Sequence, residues 1–455
     1  MTPVAYLAQH AERHLEELVD FLRLPSVSAQ PEHRDDTRRA AEWLAAKMSE
    51  AGLETAEVLP TGGHPVVVGE WRRAQDAPTV LVYGHYDVQP PEPLELWTSP
   101  PFEPEIRDGQ LFARGAVDDK GQLYLHLKAV EAHLRTRGSL SANVIFVVEG
   151  EEETGSAHLD DFLERHQERL RCDAVLISDT SMFAPGLPSI TVGLRGIAYF
   201  EVRLRGPDSD LHSGSYGGAV ANPANALARV LAGLHHGDGR IAIPGFYDRV
   251  RPLTAEERDE MRALPFSEQA FCAQVGAPAL AGEEGFSTLE RLWARPALDV
   301  NGLLSGYTGE GSKTVLPAEA MAKVSARLVP DQDPGEICQL FEKCVRQLAP
   351  AGVEVEVELL HHGHPWLADP GEAVFDAAAG ALREAFGHEP VFIREGGSIP
   401  IVHALRERFG VPIVLMGFGL PGENAHAPDE WMSLENFHRG AEAVARFYDH
   451  YPTKL

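Results

Sequence analysis

Positive charge is scarce in this 455-residue chain, where 40 Lys and Arg stand against 68 Asp and Glu, a formal net charge of −28. Nucleic acid is bound through clustered cations, so it is not an expected partner. An anionic membrane surface is disfavoured on the same ground. A local basic pocket for a small carboxylate is still compatible with the overall balance. Long apolar runs are missing as well: no stretch approaches the roughly 18 consecutive apolar residues of a membrane span. The opening MTPVAYLAQHAERHLEELVDFLRL has neither the basic start nor the apolar segment of a secretory signal. Cysteine is rare. Cys172, Cys272, Cys338 and Cys344 form no C-x-x-C pair and are too few for a disulfide framework in a chain this long. They read as reduced, mostly buried thiols. With 44% hydrophobic and 24% charged residues the composition is that of a folded globular protein rather than a disordered one. The length is enough for two or three domains. A cytoplasmic enzyme is the class these absences leave.

Leu15, Leu18, Val19 and Leu22 recur at helical spacing, and a second helix is expected from about Thr37 to Ala51. Short apolar runs follow, each leading into a polar cluster. TVLVY (79–83) precedes GHYDVQP, ANVIFVV (142–148) precedes EGEEETGS, DAVLIS (173–178) precedes Asp179, and VPIVLMGFG (411–419) precedes LPGENAHAPDEW. RGAVDDKG opens a helical stretch through His133. Apolar runs alternating with helices predict an α/β fold with a doubly wound, mainly parallel sheet. Ligands of such sheets gather outside the carboxyl ends of the strands, where these clusters fall. From about Ser189 the texture changes to the alternation of antiparallel strands, in ITVGLRGIAYFEVRLRG, AEAMAKVSARLVP (318–330) and VEVEVELL (353–360). ANPANALARVLAGL reads as a helix, and Gly233 to Gly311 as an irregular, Pro- and Gly-rich stretch. An α+β domain with an antiparallel sheet, residues 191–367, is thus expected as an insertion into a catalytic domain made of 1–190 and 368–455.

The strand ends carry His85, Asp87, Asp118, Asp119, Glu149, Glu151, Glu152, Glu153, Asp179 and His426. Each cluster alone has an ordinary reading. GHYD can be a turn, DDKG a helix start whose acids offset the macrodipole, EGEEE a solvated loop, Asp179 a strand cap and His426 a loop histidine. Together, however, so many carboxylates at one edge repel unless cations lie among them, and Arg114 and Lys120 are the only local candidates. Divalent metals would supply the charge. Imidazole nitrogen with carboxylate oxygen suits zinc, and also manganese or cobalt. A carboxylate bridging two metals about 3.5–4 Å apart makes a two-metal hydrolytic site.

GHYDVQP (84–90), RGAVDDKG (114–121), EGEEETGS (149–156), ISDT (177–180) and NAHAPDE (424–430) closely resemble metallopeptidase family 20, as do LHSGSYGG (211–218) and GSKTVLPAEA (311–320). The last two segments, with the Tyr of GHYD, are most similar to its dipeptidase branch, that of carnosine dipeptidase. The resemblance implies that His85, Asp118 and Asp179 hold one metal and Asp118, Glu153 and His426 the other. Asp87 would accept a hydrogen bond from the far ring nitrogen of His85, and Glu152 would be the general base that deprotonates the attacking water. The Asp118–Asp119 peptide would be cis. His212, reaching over from a partner subunit, would stabilise the tetrahedral oxyanion. Arg327 would bind the substrate carboxylate bidentately. Gly396, Gly397 and Ser398 would offer it backbone N–H groups, with His361 or His362 assisting. The expected protein is a homodimeric di-zinc hydrolase for dipeptides or short amides carrying a free carboxylate, with the inserted domain as dimer contact and lid. An N-acyl-amino-acid deacylase of the acetylornithine or succinyl-diaminopimelate type would share the metal site, and a non-catalytic binding relative would lack Glu152 or Asp118. His126, His133, His158 and His166 lie at helical positions and are given no role.

Overall fold

The computed structural model describes residues 1–397 and 399–451 and divides into two compact units. The first comprises Met1–Val192, Ala368–Ile393 and Ala404–Leu455, and the second Gly193–Leu367 with Arg394–His403. In the first, the sheet runs in the order Thr55–Leu59, Val66–Trp71, Asn143–Glu149, Thr79–His85, Ala174–Ile177, Ile413–Leu415, Ser189–Leu194. Its four middle strands are parallel, and both margins are antiparallel. The middle strands are buried almost throughout, which is why their sequences are continuous apolar runs rather than alternating ones. Helices Ala11–Leu22, Arg34–Ala51 and Lys120–Arg137 occupy the stretches where helical spacing was read. No helix among the described residues is long and apolar enough to cross a membrane.

The second unit has a four-stranded antiparallel sheet in the order Ala297–Ser305, Glu319–Leu328, Gly196–Arg205, Glu354–Gly363. Ala198, Phe200, Val202 and Leu204 alternate into one buried face with Ala320, Ala322, Val324 and Ala326, and helices Pro223–Ala232 and Pro334–Leu348 supply Leu227, Val230, Ile337 and Phe341 to the same core. Asn222 caps the first of these helices by accepting from Ala224 and Asn225 N–H, with Pro223 at its first position. The stretch read as irregular holds helices Ala255–Ala263, Glu268–Val275 and Thr288–Trp293 and the strand Ala297–Ser305. That strand is at the sheet edge and largely exposed, so no alternation marked it.

Behind the first unit's sheet edge lies a buried polar network. Lys128 binds Glu17 at 2.6 Å and Glu131 at 2.7 Å, and Tyr124 donates to Glu17 at 2.9 Å. Two histidines are buried without charge: burial, with Lys128 nearby, holds His14 down at about 3, and burial alone holds His126 at about 3. The unfolded chain protonates both near 6.5, so between pH 6.5 and 3 it binds protons that the folded chain does not. Their contribution to stability is complete above pH 6.5 and falls as the pH drops, by about 2–3 kcal/mol each at pH 4.5. Thermal melts read by circular dichroism, with and without chelator, are expected to show this decline in both series. A melting temperature flat from pH 7 to 4.5 in the chelated series would contradict it.

Candidate metal centre

Parallel neighbours bring the carboxyl ends of the Thr79–His85, Asn143–Glu149 and Ala174–Ile177 strands to one edge. His85 is the last residue of its strand, Asp179 follows Ser178 beyond Ile177, and Glu149 leads into the turn Glu152–Thr154. Asp119 Oδ2 accepts the backbone N–H of His85 at 3.2 Å. A Cβ on Gly84 would lie 2.7 Å from that oxygen, so this close approach needs glycine. The Asp118–Asp119 peptide is cis, as the resemblance implied.

Two groups of ligand-type atoms form there, each with its members within 4.8 Å of one another: His85, Asp118 and Asp179, and Asp118, Glu153 and His426. Asp118 belongs to both. Its Oδ1 lies 3.1 Å from His85 Nε2 and its Oδ2 2.9 Å from His426 Nε2, while Glu153 Oε2 is 3.3 Å from the same His426 atom. His85 is fully buried, yet its Nε2 makes no hydrogen bond. His426 sits at φ +61, in the left-handed region that non-glycine residues seldom adopt.

The charges show the same demand. Burial and the Asp118 charge push the Asp179 carboxyl far up, and burial with the Asp179 charge does the same to Asp119. Burial pushes Glu152 up to about 8; His85 opposes this, and the Glu153, Asp118 and Asp87 carboxylates add to it. The two local cations face elsewhere. Arg114 binds Glu430 Oε2 at 2.7 Å, and Lys120 donates to the carbonyls of Leu24 at 2.7 Å and Phe21 at 3.3 Å. The acids therefore share a negative site with unsatisfied imidazole nitrogen, and the donor set fits two divalent cations joined by Asp118.

The supports of this cluster were less visible in the sequence. The Nδ1 of His85 bonds the backbone oxygen of Asp87 at 3.1 Å, with the Asp87 carboxylate 3.4 Å away. That carboxylate instead accepts the N–H groups of Glu152 at 3.3 Å and Glu153 at 3.1 Å and the Ser28 hydroxyl at 2.6 Å. Asp87 thus fixes the turn that carries both glutamates as well as the histidine. Gln89 donates to Glu153 Oε2 at 2.7 Å. Glu430, completely buried, accepts from Arg114, from Gly115 N at 2.9 Å, Val117 N at 3.0 Å and Asp118 N at 3.2 Å. Three of the histidines given no role have partners. His126 Nε2 donates to Ser178 Oγ at 2.7 Å, which donates on to the Met416 carbonyl; His133 bonds Ala445 O at 2.9 Å, and His158 bonds Glu151 at 2.8 Å. Glu430 and Ser178 stand inside the quoted motifs NAHAPDE and ISDT, so their signal was present. Only the fold shows what they bind.

The profile described as "Peptidase family M20/M25/M40" matches residues 81–450. The chain belongs to this family. Among its relatives, a Cys-Gly metallodipeptidase of Candida albicans is 32% identical, covering 96% of this chain and 94% of that one. A human Beta-Ala-His dipeptidase is 30% identical, over 97% of this chain and 91% of that one. A solved di-peptidase of Saccharomyces cerevisiae superimposes with TM-score 0.84 at 30% identity, covering 99% and 98% of the two chains. An M20 family metallo-carboxypeptidase of Sulfolobus solfataricus gives 0.86 at 34%, covering 97% and 99%.

The M20 resemblance also singled out residues of the second unit. His212 is exposed and caps the short helix Ser213–Tyr216, its Nδ1 accepting from Gly214 N at 3.0 Å. A backbone N–H can only donate, so the ring proton of neutral His212 is on Nε2. Arg327 pairs with Ile197 in the sheet, and His361 pairs with Tyr199, on whose ring it stacks at 5.1 Å. Directly paired residues share a face, and so do Ile197 and Tyr199 two apart. His361 therefore stands on the Arg327 face and His362, paired with Ala198, does not. Gly397 is exposed with open space around it. Ser398 lies outside the described residues.

Proposed function

We propose that this M20 protein is a di-metal dipeptidase that hydrolyses dipeptides or short peptides with a free carboxylate. The observation that carries the reading is Asp118, whose two oxygens lie within reach of two separate histidine-containing ligand groups. Relatives named as dipeptidases aligned over 96–97% of the chain support the substrate class over an acyl-amino acid. His85, Asp118 and Asp179 would hold one cation and Asp118, Glu153 and His426 the other, most readily zinc, with manganese or cobalt also suited to this set. When bound, such a pair polarises an amide carbonyl and acidifies water.

The chain's own groups do the rest. Glu152 is in neither ligand group, and cations beside it would favour its carboxylate form, as a base requires. It takes the proton of the attacking water and returns it to the departing amine. Asp87 holds Glu152 and Glu153 in place through their N–H groups. The Nε2–H of His212 suits a donor to the developing oxyanion. In this reading it comes from a partner subunit, and Arg327, His361, Gly397 and Ser398 receive the carboxylate. The edge strand Ala297–Ser305 exposes Leu303 by 65% and Leu304 by 60%, which favours burial against a second copy in a homodimer. Four unpaired cysteines agree with a cytoplasmic location.

The test is a panel of dipeptides beside acetylornithine and succinyl-diaminopimelate, with metal-stripped and zinc-restored protein. Zinc-dependent dipeptide cleavage is expected. Cleavage of the acyl substrates alone would replace the substrate class, and no turnover with two cations bound would overturn the enzyme reading. A monomer that still turned over would refute the trans histidine.

A further inference from the structure

The second unit holds two neighbouring guanidiniums that no carboxylate answers. Arg195 is only 9% exposed. Its backbone N–H donates to Glu395 O at 3.2 Å and its Nε–H to Gly396 O at 3.3 Å. Its guanidinium lies so close over Gly396 that a Cβ there would sit 2.7 Å from Nη2. Arg327 pairs with Ile197, two residues beyond Arg195. The two charges feel one another: burial first, and then the Arg327 charge, pulls Arg195 down to about 10.

Among the described residues, neither arginine has an Asp or Glu oxygen within 4.0 Å. Acids are not in short supply, with 68 in the chain. Several other arginines of the same unit find them. Arg295 binds Glu283 with two bonds of 2.8 Å, Arg203 lies 2.5 Å from Glu201, and Arg394 pairs with Glu257. Asp299, exposed on the edge strand, bears on both Arg195 and Arg327 electrostatically without pairing with either. Two partly desolvated like charges side by side are unfavourable, and an anion between them removes the cost. A guanidinium fork matches a planar carboxylate. At Gly397, the second glycine of the turn that Arg195 grips, a Cβ would meet nothing within 4 Å, and a turn of this kind can present backbone N–H groups to an anion.

We propose that Arg195 is a specificity-determining partner of Arg327, the pair with the Gly396–Gly397 turn forming one clamp that makes a free C-terminal carboxylate obligatory in the substrate. This rests on the peptidase reading above and adds a residue that neither the motifs nor the resemblance assigned. Arg195 has two parts in it: its bond to Gly396 sets the turn, and its charge doubles the pull on the carboxylate.

The experiment compares Arg195→Gln with the parent on a dipeptide and on the same dipeptide as its C-terminal amide, with zinc bound and metal content measured. For the free acid, KM is expected to rise about 10- to 100-fold, the worth of one charged hydrogen-bonding partner, with kcat little changed. The amide should be a poor substrate of the parent and no worse for the variant. Arg195→Lys, which keeps the charge and loses the fork, should recover part of the KM. An unchanged KM, or an equal rise for acid and amide, would overturn the proposal. Asp299→Asn gives a second arm if Arg195→Gln does not fold. Removing the competing negative charge should lower KM for the acid and leave the amide alone, and a KM that rises or stays put counts against the clamp. If the parent cleaves no dipeptide at all, it is the peptidase reading that has failed, and the parent alone reveals that.

Discussion

Glu152→Gln is expected to lower kcat by about 10³- to 10⁴-fold, the upper range for a general acid–base group, while both cations stay bound. The substitution is nearly isosteric and changes one atom. The turn around it is held by backbone N–H groups on Asp87, at 3.3 Å from residue 152 and 3.1 Å from Glu153, and these do not depend on the Glu152 side chain. Its side chain belongs to neither ligand group. Loss of turnover with full metal content would identify the proton carrier. Steady-state kinetics beside elemental analysis decide the matter. If metal is lost in step with activity, Glu152 is a ligand instead, and the base must be sought elsewhere.

The second large effect is expected at a residue that would touch neither substrate nor metal. Glu430 receives four donors, one from Arg114 and three from the backbone of 115–118. A glutamine there keeps one acceptor oxygen and turns an NH₂ group toward N–H groups that need an acceptor. It also leaves the Arg114 charge, 1% exposed, without its counterion. Breaking a buried pair in this way costs about 3–5 kcal/mol. Because one of the four donors is the N–H of Asp118 itself, the damage should pass into cation affinity, by about 10- to 100-fold if Glu430 behaves as an outer partner of a ligand. Thermal melts and zinc titration against a competing chelator measure the two losses separately. Reduced stability with unchanged affinity would confine Glu430 to the fold.

Much of the catalytic unit was legible in the sequence, for a physical reason. Strands covered on both faces must be apolar throughout, and where TVLVY or NVIFVV stops, the chain has reached the edge at which polar side chains can gather. Two features were opaque. The carboxylates of Asp87 and Glu430 act on backbone N–H groups, and a backbone donor looks the same whatever residue carries it. The strand Ala297–Ser305 leaves most of its residues in solvent, so its side chains follow no alternation. Arg195 was hidden for a third reason: an arginine is recognised as unusual only when its neighbours are known to leave it unpaired.

The split of Asp118 between two ligand groups has a consequence for how the protein is made. A chain emerging from the ribosome presents His85, Asp118 and Asp179 first. His426 and Glu430 follow roughly 250 residues later, some 10–50 s at ordinary elongation rates. During that interval the acidic edge would have one half of the proposed cation site and lack both the tether on the Asp118 loop and the second imidazole. A nascent chain would thus offer one complete ligand group, His85 with Asp118 and Asp179, and an incomplete second. On the proposed function, turnover would begin only once the last thirty or so residues have folded back and completed the second ligand group.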